Sequence, residues 1–122
     1  MTPAARLQAA VEILDLVIDA ARDQGAPADA IVTRYFKTRR YAGSKDRRAV
    51  REMVFRAIRR AADRPESGRA AIVGLAEDEP EMLDLFGEPR GPEGLVDGEP
   101  MSPAGLIPKW LVPELSPLVA PE

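Results

Sequence analysis

Residues 44–64 read SKDRRAVREMVFRAIRRAADR, and this stretch carries the clearest structural signal in the chain. Its apolar side chains recur at spacings of three and four residues, which is typical of an α-helix with one buried face. They are Val50, Met53, Val54, Ala57, Ile58 and Ala61. Ser44 is a good N-cap, and Asp46 lies in the first turn, where the helix dipole favours a negative charge. The stretch predicts an amphipathic helix that ends near Arg64, because Pro65 disfavours helical geometry in the residue before it.

Four further helices are predicted on the two sides of this stretch. Apolar periodicity and proline positions place them at about 3–23, from 27 to just before 39, at 67–76 and at 80–86. Thr2 is a plausible N-cap for the first helix, and Gly25 is expected to end it because glycine tolerates a positive φ. No segment alternates polar and apolar residues as a strand would. The sequence therefore predicts an all-α bundle of about five helices.

The C-terminal part of the chain has a different composition. Residues 87–122 hold 8 of the 12 prolines and 5 of the 9 glycines, which is typical of an extended segment. We therefore predict a compact domain over residues 1–86 and a linker or docking segment over 87–122. One apolar cluster around Trp110, at 106–112, is expected to pack against this domain or a neighbouring one.

The chain lacks cysteine and histidine, which excludes a disulfide framework, a thiol nucleophile, a histidine general base and a Cys/His zinc site. We expect a cytoplasmic chain without a membrane span, because no signal-peptide pattern or long apolar run is present. Gly87, Gly91, Gly94 and Gly98 do not have the spacing of a nucleotide-binding loop. The acidic cluster at 77–84 lacks the ordered spacing of a calcium loop, so we interpret it as a solvated face. This chain alone is therefore not expected to be an enzyme.

The charge is distributed very unevenly along the chain. The net charge of residues 1–33 is −3, that of residues 34–64 is +9, and that of residues 65–122 is −9. The middle stretch, called here the basic block, contains 12 basic residues, of which ten are arginine. The like-charged pairs Arg47/Arg51 and Arg56/Arg60 should each destabilise an isolated helix slightly. Arginine suits bidentate phosphate contacts, so the basic block favours a polyanion partner over a merely solvated face.

The side chains in the basic block indicate how a nucleic acid would be bound. The predicted helix that begins at 27 and the one at 44–64 resemble a helix-turn-helix only weakly, since the second offers no base-reading amide and the chain has no asparagine. Contact with the nucleic-acid backbone is therefore favoured over base reading. Tyr35 is expected to pack in the core, together with Ile31, Val32 and Phe36. Tyr41 lies in the turn, where core packing and stacking on an unpaired base are equally open.

Several segments resemble a known family. Residues 39–50, RRYAGSKDRRAV, and residues 54–60, VFRAIRR, resemble the N-terminal domain of bacterial RNA cytosine-C5 methyltransferases of the Sun/Fmu/NOL family. Residues 2–10 and the Pro-Lys-Trp-Leu element at 108–111 fit the same resemblance, whereas residues 65–105 match only loosely. That domain is similar to the antitermination factor NusB, so the resemblance implies a NusB-like, RNA-binding helical bundle. The Gly-Ser-x-Asp-Arg element at 43–47 includes Asp46 and Arg47, whose roles are open between RNA contact, helix capping and ion pairing.

The resemblance also implies a function for the parent protein. The family methylates RNA, most plausibly ribosomal RNA, with S-adenosylmethionine and a catalytic cysteine, and this chain contains neither that cysteine nor a cofactor domain. We therefore expect an accessory RNA-binding domain, with the catalytic domain as its intramolecular partner and no cofactor of its own. A module that docks on an acidic protein and a DNA-binding helix-turn-helix remain alternatives. The expected RNA-binding residues are Arg39, Arg40, Tyr41, Lys45, Arg47, Arg48, Arg51 and Arg59.

Overall fold

The computed structural model describes residues 1–104. Within that range the chain forms α1 (Pro3–Arg22), α2 (Ala28–Lys37), α3 (Ser44–Arg60), α4 (Gly68–Asp78) and a 3-10 helix (Pro80–Leu85). The predicted all-α bundle of about five helices is confirmed, and one isolated antiparallel bridge joins Ala61 to Ala104. The predicted apolar cluster around Trp110 lies outside the described residues.

Helix α1 lies at the centre of the bundle. It packs against α2, α3, α4 and the 3-10 helix, and Leu7, Ile13 and Leu14 are completely buried. An amphipathic helix buries one stripe, but α1 carries apolar residues over a wider arc and can bury more than one side. Residues Val50, Val54 and Ile58 form the buried face of α3, as the sequence pattern predicted, while Met53 is only partly buried.

The helix ends confirm one prediction and correct three, the first correction being that α3 ends at Arg60 rather than near Arg64. The Thr2 hydroxyl caps α1 by accepting a hydrogen bond from the Ala5 N–H at 3.0 Å. After α1, Gln24 rather than Gly25 adopts the positive φ, at 56°. The N-cap of α3 is Gly43 rather than Ser44, because the Asp46 carboxylate inside the helix accepts the Gly43 N–H at 3.1 Å. A carboxylate at the third helical position can thus supply the cap that the sequence suggested for Ser44.

Helix α4 approaches α1 unusually closely at Gly68. A Cβ atom at this position would lie 2.1 Å from the Val11 carbonyl oxygen and 2.9 Å from the Asp15 nitrogen. The Asp15 carboxylate of α1 accepts the Gly68 N–H at 2.7 Å, and the Ser67 hydroxyl caps α4 by accepting the Ala70 N–H at 3.0 Å. The start of α4 is therefore fixed against the middle of α1 by backbone contact and by the Asp15 carboxylate, while the Ser67 hydroxyl caps the same helix end.

The segment that follows the 3-10 helix is irregular and lies along α4. The Arg69 Nε donates to Glu99 at 2.6 Å, which holds the pKa of the Glu99 carboxyl below its usual range. Further along, the Ser102 N–H donates to the Ala70 carbonyl at 3.1 Å. Residues 99–104 are thus joined to the helical bundle by side-chain and backbone hydrogen bonds. Within residues 1–104, no helix combines the length and the apolar character needed to span a membrane.

We expect Gly68→Ala to lower the free energy of unfolding by about 2–3 kcal/mol, because the added methyl group must push α4 away from the α1 backbone. Gly94→Ala is the matched control, since nothing lies within 4 Å of a Cβ atom there. Urea denaturation of the two variants measures the difference. Equal unfolding free energies would contradict the close approach of α1 and α4.

Candidate nucleic-acid interface

The connection between α2 and α3, residues 38–43, begins with an arginine that the fold itself uses. The Arg39 Nη1 donates to the Tyr35 carbonyl at 2.9 Å, and the Arg39 guanidinium carbon lies 3.7 Å from the centre of the Tyr35 ring. A cation stacked on an aromatic face in this way is held in one orientation. Arg39 therefore covers the C-terminal end of α2, and only part of its guanidinium is left for a ligand.

The connection ends at a carboxylate that joins two helices. The Asp46 carboxylate accepts hydrogen bonds from Arg6 Nε of α1 at 2.9 Å and from the Gly43 N–H at 3.1 Å. The Arg6 guanidinium, followed by the Gly43 N–H, holds the pKa of the Asp46 carboxyl below its ordinary value. Asp46 therefore caps α3 and fixes the start of α3 beside the start of α1. Of the roles left open for Asp46, capping and ion pairing are the ones that these contacts support.

Arg47 and Arg51, two predicted RNA contacts, each have a partner within the protein. The Arg47 Nε donates to the Ala42 carbonyl at 3.0 Å, so Arg47 binds the turn rather than a neighbouring carboxylate. Arg51 forms an ion pair with Asp29 of α2. Both side chains remain partly accessible, since Arg47 is exposed and the Arg51 side chain is 43% exposed. The charge of Arg51 is partly compensated, whereas the Arg47 charge is not.

The C-terminal half of α3 uses its arginines to hold the acidic cluster. Arg56 forms a bidentate pair with Glu79 at 2.8 and 3.1 Å. Arg60 donates to Glu77, to Asp78 and to the Ser102 carbonyl, the last at 2.6 Å, and its side chain is only 7% exposed. Arg60 lies outside the apolar stripe that the sequence predicts for α3, yet its side chain is buried. Glu77 and Asp78 remain more than half exposed, so the interpretation of the acidic cluster as a solvated face holds for them, although they and Glu79 also pair with the basic block.

The remaining predicted residues are exposed. Among residues 1–104, Arg40, Lys45, Arg48 and Arg59 form no ion pair, and Tyr41 is 72% exposed. Tyr35 lies in the core, as predicted, and the exposure of Tyr41 excludes core packing for that ring. Arg40, Tyr41, Lys45 and Arg48 lie in or next to the α2–α3 connection. Arg59 lies about 16 Å further along α3 than Arg48, from the 1.5 Å rise per residue, on the same side of the helix.

A groove between α2 and α3 is lined by basic side chains from both helices. It has a volume of about 430 Å³, and its lining includes Val32 and Phe36 as well as Lys37, Arg47 and Arg48. Lys37 was not among the predicted contacts, because only the packing of α2 beside α3 brings it to the groove. Among the described residues, no three acidic side chains converge as metal ligands would.

The two adjacent arginines at the end of α3 should differ strongly in their effect on stability. Arg60→Ala leaves the buried Ser102 carbonyl without its donor, and we expect it to lower the free energy of unfolding by about 2–3 kcal/mol. Arg59→Ala changes an exposed side chain, and its expected effect is within about 0.5 kcal/mol. Urea denaturation of both variants checks this, and similar losses would contradict the buried position of Arg60.

The Asp46 contacts should stabilise the fold in a pH-dependent manner. A carboxyl whose pKa is lower in the folded state stabilises the protein above its unfolded-state pKa of about 4 and stops doing so as the pH falls through the folded value. We therefore expect wild type to exceed Asp46→Asn in unfolding free energy at pH 7. This difference should shrink below about pH 4. Chemical denaturation between pH 7 and pH 2 measures it, and a difference independent of pH would contradict the ion pair with Arg6.

Comparison of the chain with family models, with curated proteins and with solved structures finds no match. The resemblance of residues 2–64 to the methyltransferase N-terminal domain therefore stays a prediction. The function of the chain is inferred from the geometry of its own residues.

Proposed function

We propose that this chain is the accessory RNA-binding domain of an S-adenosylmethionine-dependent ribosomal RNA cytosine-C5 methyltransferase. In this proposal the chain holds the RNA backbone, and a catalytic domain outside this sequence supplies the attacking cysteine and the methyl donor. The proposal rests on one observation. Arg40, Lys45 and Arg48 are exposed around the α2–α3 connection and form no ion pair among the described residues, while nearby arginines of α3 do.

Electrostatics supports this assignment of the exposed cations. Arg56 and Arg60 are already neutralised by carboxylates, so the fold itself accounts for their presence. The cations near the connection repel one another and remain solvated, and each is free to replace a counterion on a phosphate. The Nε of Arg47 is engaged by the Ala42 carbonyl, which holds the guanidinium in place and leaves its terminal nitrogens to donate. A phosphate chain is a partner that uses all four cations together.

The geometry favours backbone contact over reading of a DNA sequence. The connection between α2 and α3 has six residues, 38–43, whereas a helix-turn-helix uses a turn of about three or four. The exposed side chains of α3 are mainly arginine, lysine and glutamate, which lack the amides that pair with adenine. The DNA-binding alternative is therefore weaker than binding to the RNA backbone.

A second candidate function follows from the groove between α2 and α3. Its lining combines apolar Val32 and Phe36 with the cations Lys37 and Arg48, which suits a peptide that carries both apolar and acidic side chains. The chain would then be a protein-interaction module that docks on an acidic partner such as the catalytic domain. Binding of that domain without binding of RNA would favour this candidate.

Removal of two exposed cations near the connection should weaken RNA binding. We expect Arg40→Ala/Arg48→Ala to reduce affinity for a structured RNA about 10-fold at low salt and to lower the salt slope by about 1–2. The matched control is Arg22→Ala/Arg64→Ala, which removes the same charge away from the connection, at the C-terminal end of α1 and in the segment that follows α3. Fluorescence anisotropy at several salt concentrations measures both. Equal affinities and equal slopes for the two variants would contradict the proposal.

A further inference from the structure

A second cavity near the basic block shares no lining residue with the groove between α2 and α3. It has a volume of about 600 Å³ and is bounded by α1, by Tyr35 of α2, by Tyr41 of the connection and by Arg90 of the irregular segment. Ligand sites of this kind typically measure about 300–1,000 Å³ and hold a few converging polar groups. None of the functions considered above uses this cavity.

The acidic group that lines the cavity is the Glu12 carboxylate. It accepts one hydrogen bond from the Tyr35 hydroxyl at Oε1 and one from the Gln8 amide at Oε2, the latter at 3.0 Å. Among the described residues it has no cation within 4 Å. Burial and this hydrogen bond raise the pKa of Tyr35, so the phenol stays protonated and keeps donating to Glu12. Because each carboxylate oxygen accepts about two hydrogen bonds, one acceptor position remains on each oxygen.

The surroundings of Glu12 decide what kind of ligand fits. A phosphate is disfavoured beside Glu12, because the carboxylate repels it. A cationic side chain is disfavoured as well, because Arg90 also lines the cavity. A neutral, flat group with two adjacent N–H donors satisfies both conditions, and the exposed ring of Tyr41 offers it a stacking surface.

Guanine is the nucleobase with this pattern, since its N1–H and N2–H lie side by side on the Watson–Crick edge. We propose that the cavity between α1 and Tyr41 binds one unpaired guanine base through the Glu12 carboxylate and the Tyr41 ring. This inference rests on the proposed function, because an RNA on the exposed cations would carry the base to the cavity. It adds a preference for one base to an interface that otherwise binds phosphates. A free guanine nucleotide has the same chemistry, so the test must separate the two sources.

The test compares heptauridine RNAs that carry a central guanosine, inosine or adenosine, using fluorescence anisotropy with the full chain. Wild type should bind the guanosine RNA about 10-fold more tightly than the adenosine RNA. The inosine RNA, whose base lacks the 2-amino group, should bind wild type with an affinity between those of the guanosine and adenosine RNAs. Equal affinity for guanosine and adenosine RNAs would overturn the role of the cavity in RNA binding and leave the proposed function standing.

Two variants and a control locate the preference in the protein. Glu12→Gln should reduce the ratio of guanosine to adenosine affinity to about 2 or less, because an amide offers a single acceptor oxygen. Tyr41→Ala, at an exposed position, should weaken all three RNAs alike. Glu52→Gln removes an exposed carboxylate of α3 and should leave the ratio unchanged. Thermal unfolding followed by circular dichroism checks that each variant folds. A ratio in folded Glu12→Gln equal to that of wild type would overturn the assignment to this cavity.

Titration with GMP and AMP, followed by ligand-observed NMR, shows whether the cavity binds a base within RNA or a free nucleotide. It also separates failure of this inference from failure of the proposed function. If wild type binds GMP but not AMP, and Glu12→Gln loses this binding, guanine binding in the cavity is supported even if no RNA binds. Absence of RNA binding would then overturn the proposed function alone. If GMP binds with high affinity and the RNAs show no guanosine preference, the cavity serves a free nucleotide and its role in RNA binding is overturned. If neither GMP nor guanosine RNA is preferred, the inference fails.

Discussion

The Asp46 carboxylate is the interaction on which the functional surface depends. It joins Arg6 of α1 to the last backbone N–H of the α2–α3 connection, that of Gly43, and it does so from inside α3. The start of α3 is thereby fixed beside the start of α1, and the Arg47 side chain closes the same connection through the Ala42 carbonyl. The positions of Tyr41, Lys45 and Arg48 follow from this arrangement. Asp46 of the Gly-Ser-x-Asp-Arg element thus acts through capping and ion pairing. It positions the neighbouring cations and is not itself proposed to contact the RNA.

The basic block divides into arginines that hold the fold together and cations that remain exposed. Arg56 and Arg60 bind the carboxylates that end α4 and precede the 3-10 helix, and Arg60 also reaches the Ser102 carbonyl. The block and the acidic cluster, which are separate in the sequence, therefore neutralise each other in part. Partial neutralisation explains how so many arginines are tolerated on one short helix, since like charges four residues apart would otherwise repel. The uncompensated charge is left mainly at the α2–α3 connection.

Local patterns predicted the helices well, because apolar periodicity and proline positions depend on nearby residues. The capping of α1 by Thr2 and the buried face of α3 follow directly from such patterns. The missed features depend on residues distant in the sequence. Arg60 is buried where it donates to the Ser102 carbonyl, 42 residues further along the chain. The N-cap of α3 is an exception, because Gly43 and Asp46 are only three residues apart. Lys37 meets Arg47 and Arg48 only when α2 packs beside α3, and the Glu12 cavity needs segments from four parts of the chain. Contacts of this kind, between residues distant in the sequence, do not follow from local sequence patterns and are seen only in the folded structure.

Arginine side-chain NMR tests the division of the basic block most directly. In a 15N-labelled sample, the Nε–H signals of individual arginines are followed while a single-stranded RNA is added. The exposed Arg48 and Arg59 should shift strongly, and Arg47 should shift because its terminal nitrogens are free to donate. The signals of Arg56 and Arg60 should stay in place, since their hydrogen bonds are made within the protein. Shifts spread evenly over all arginines, or larger shifts at Arg56 and Arg60 than at Arg48, would contradict the division.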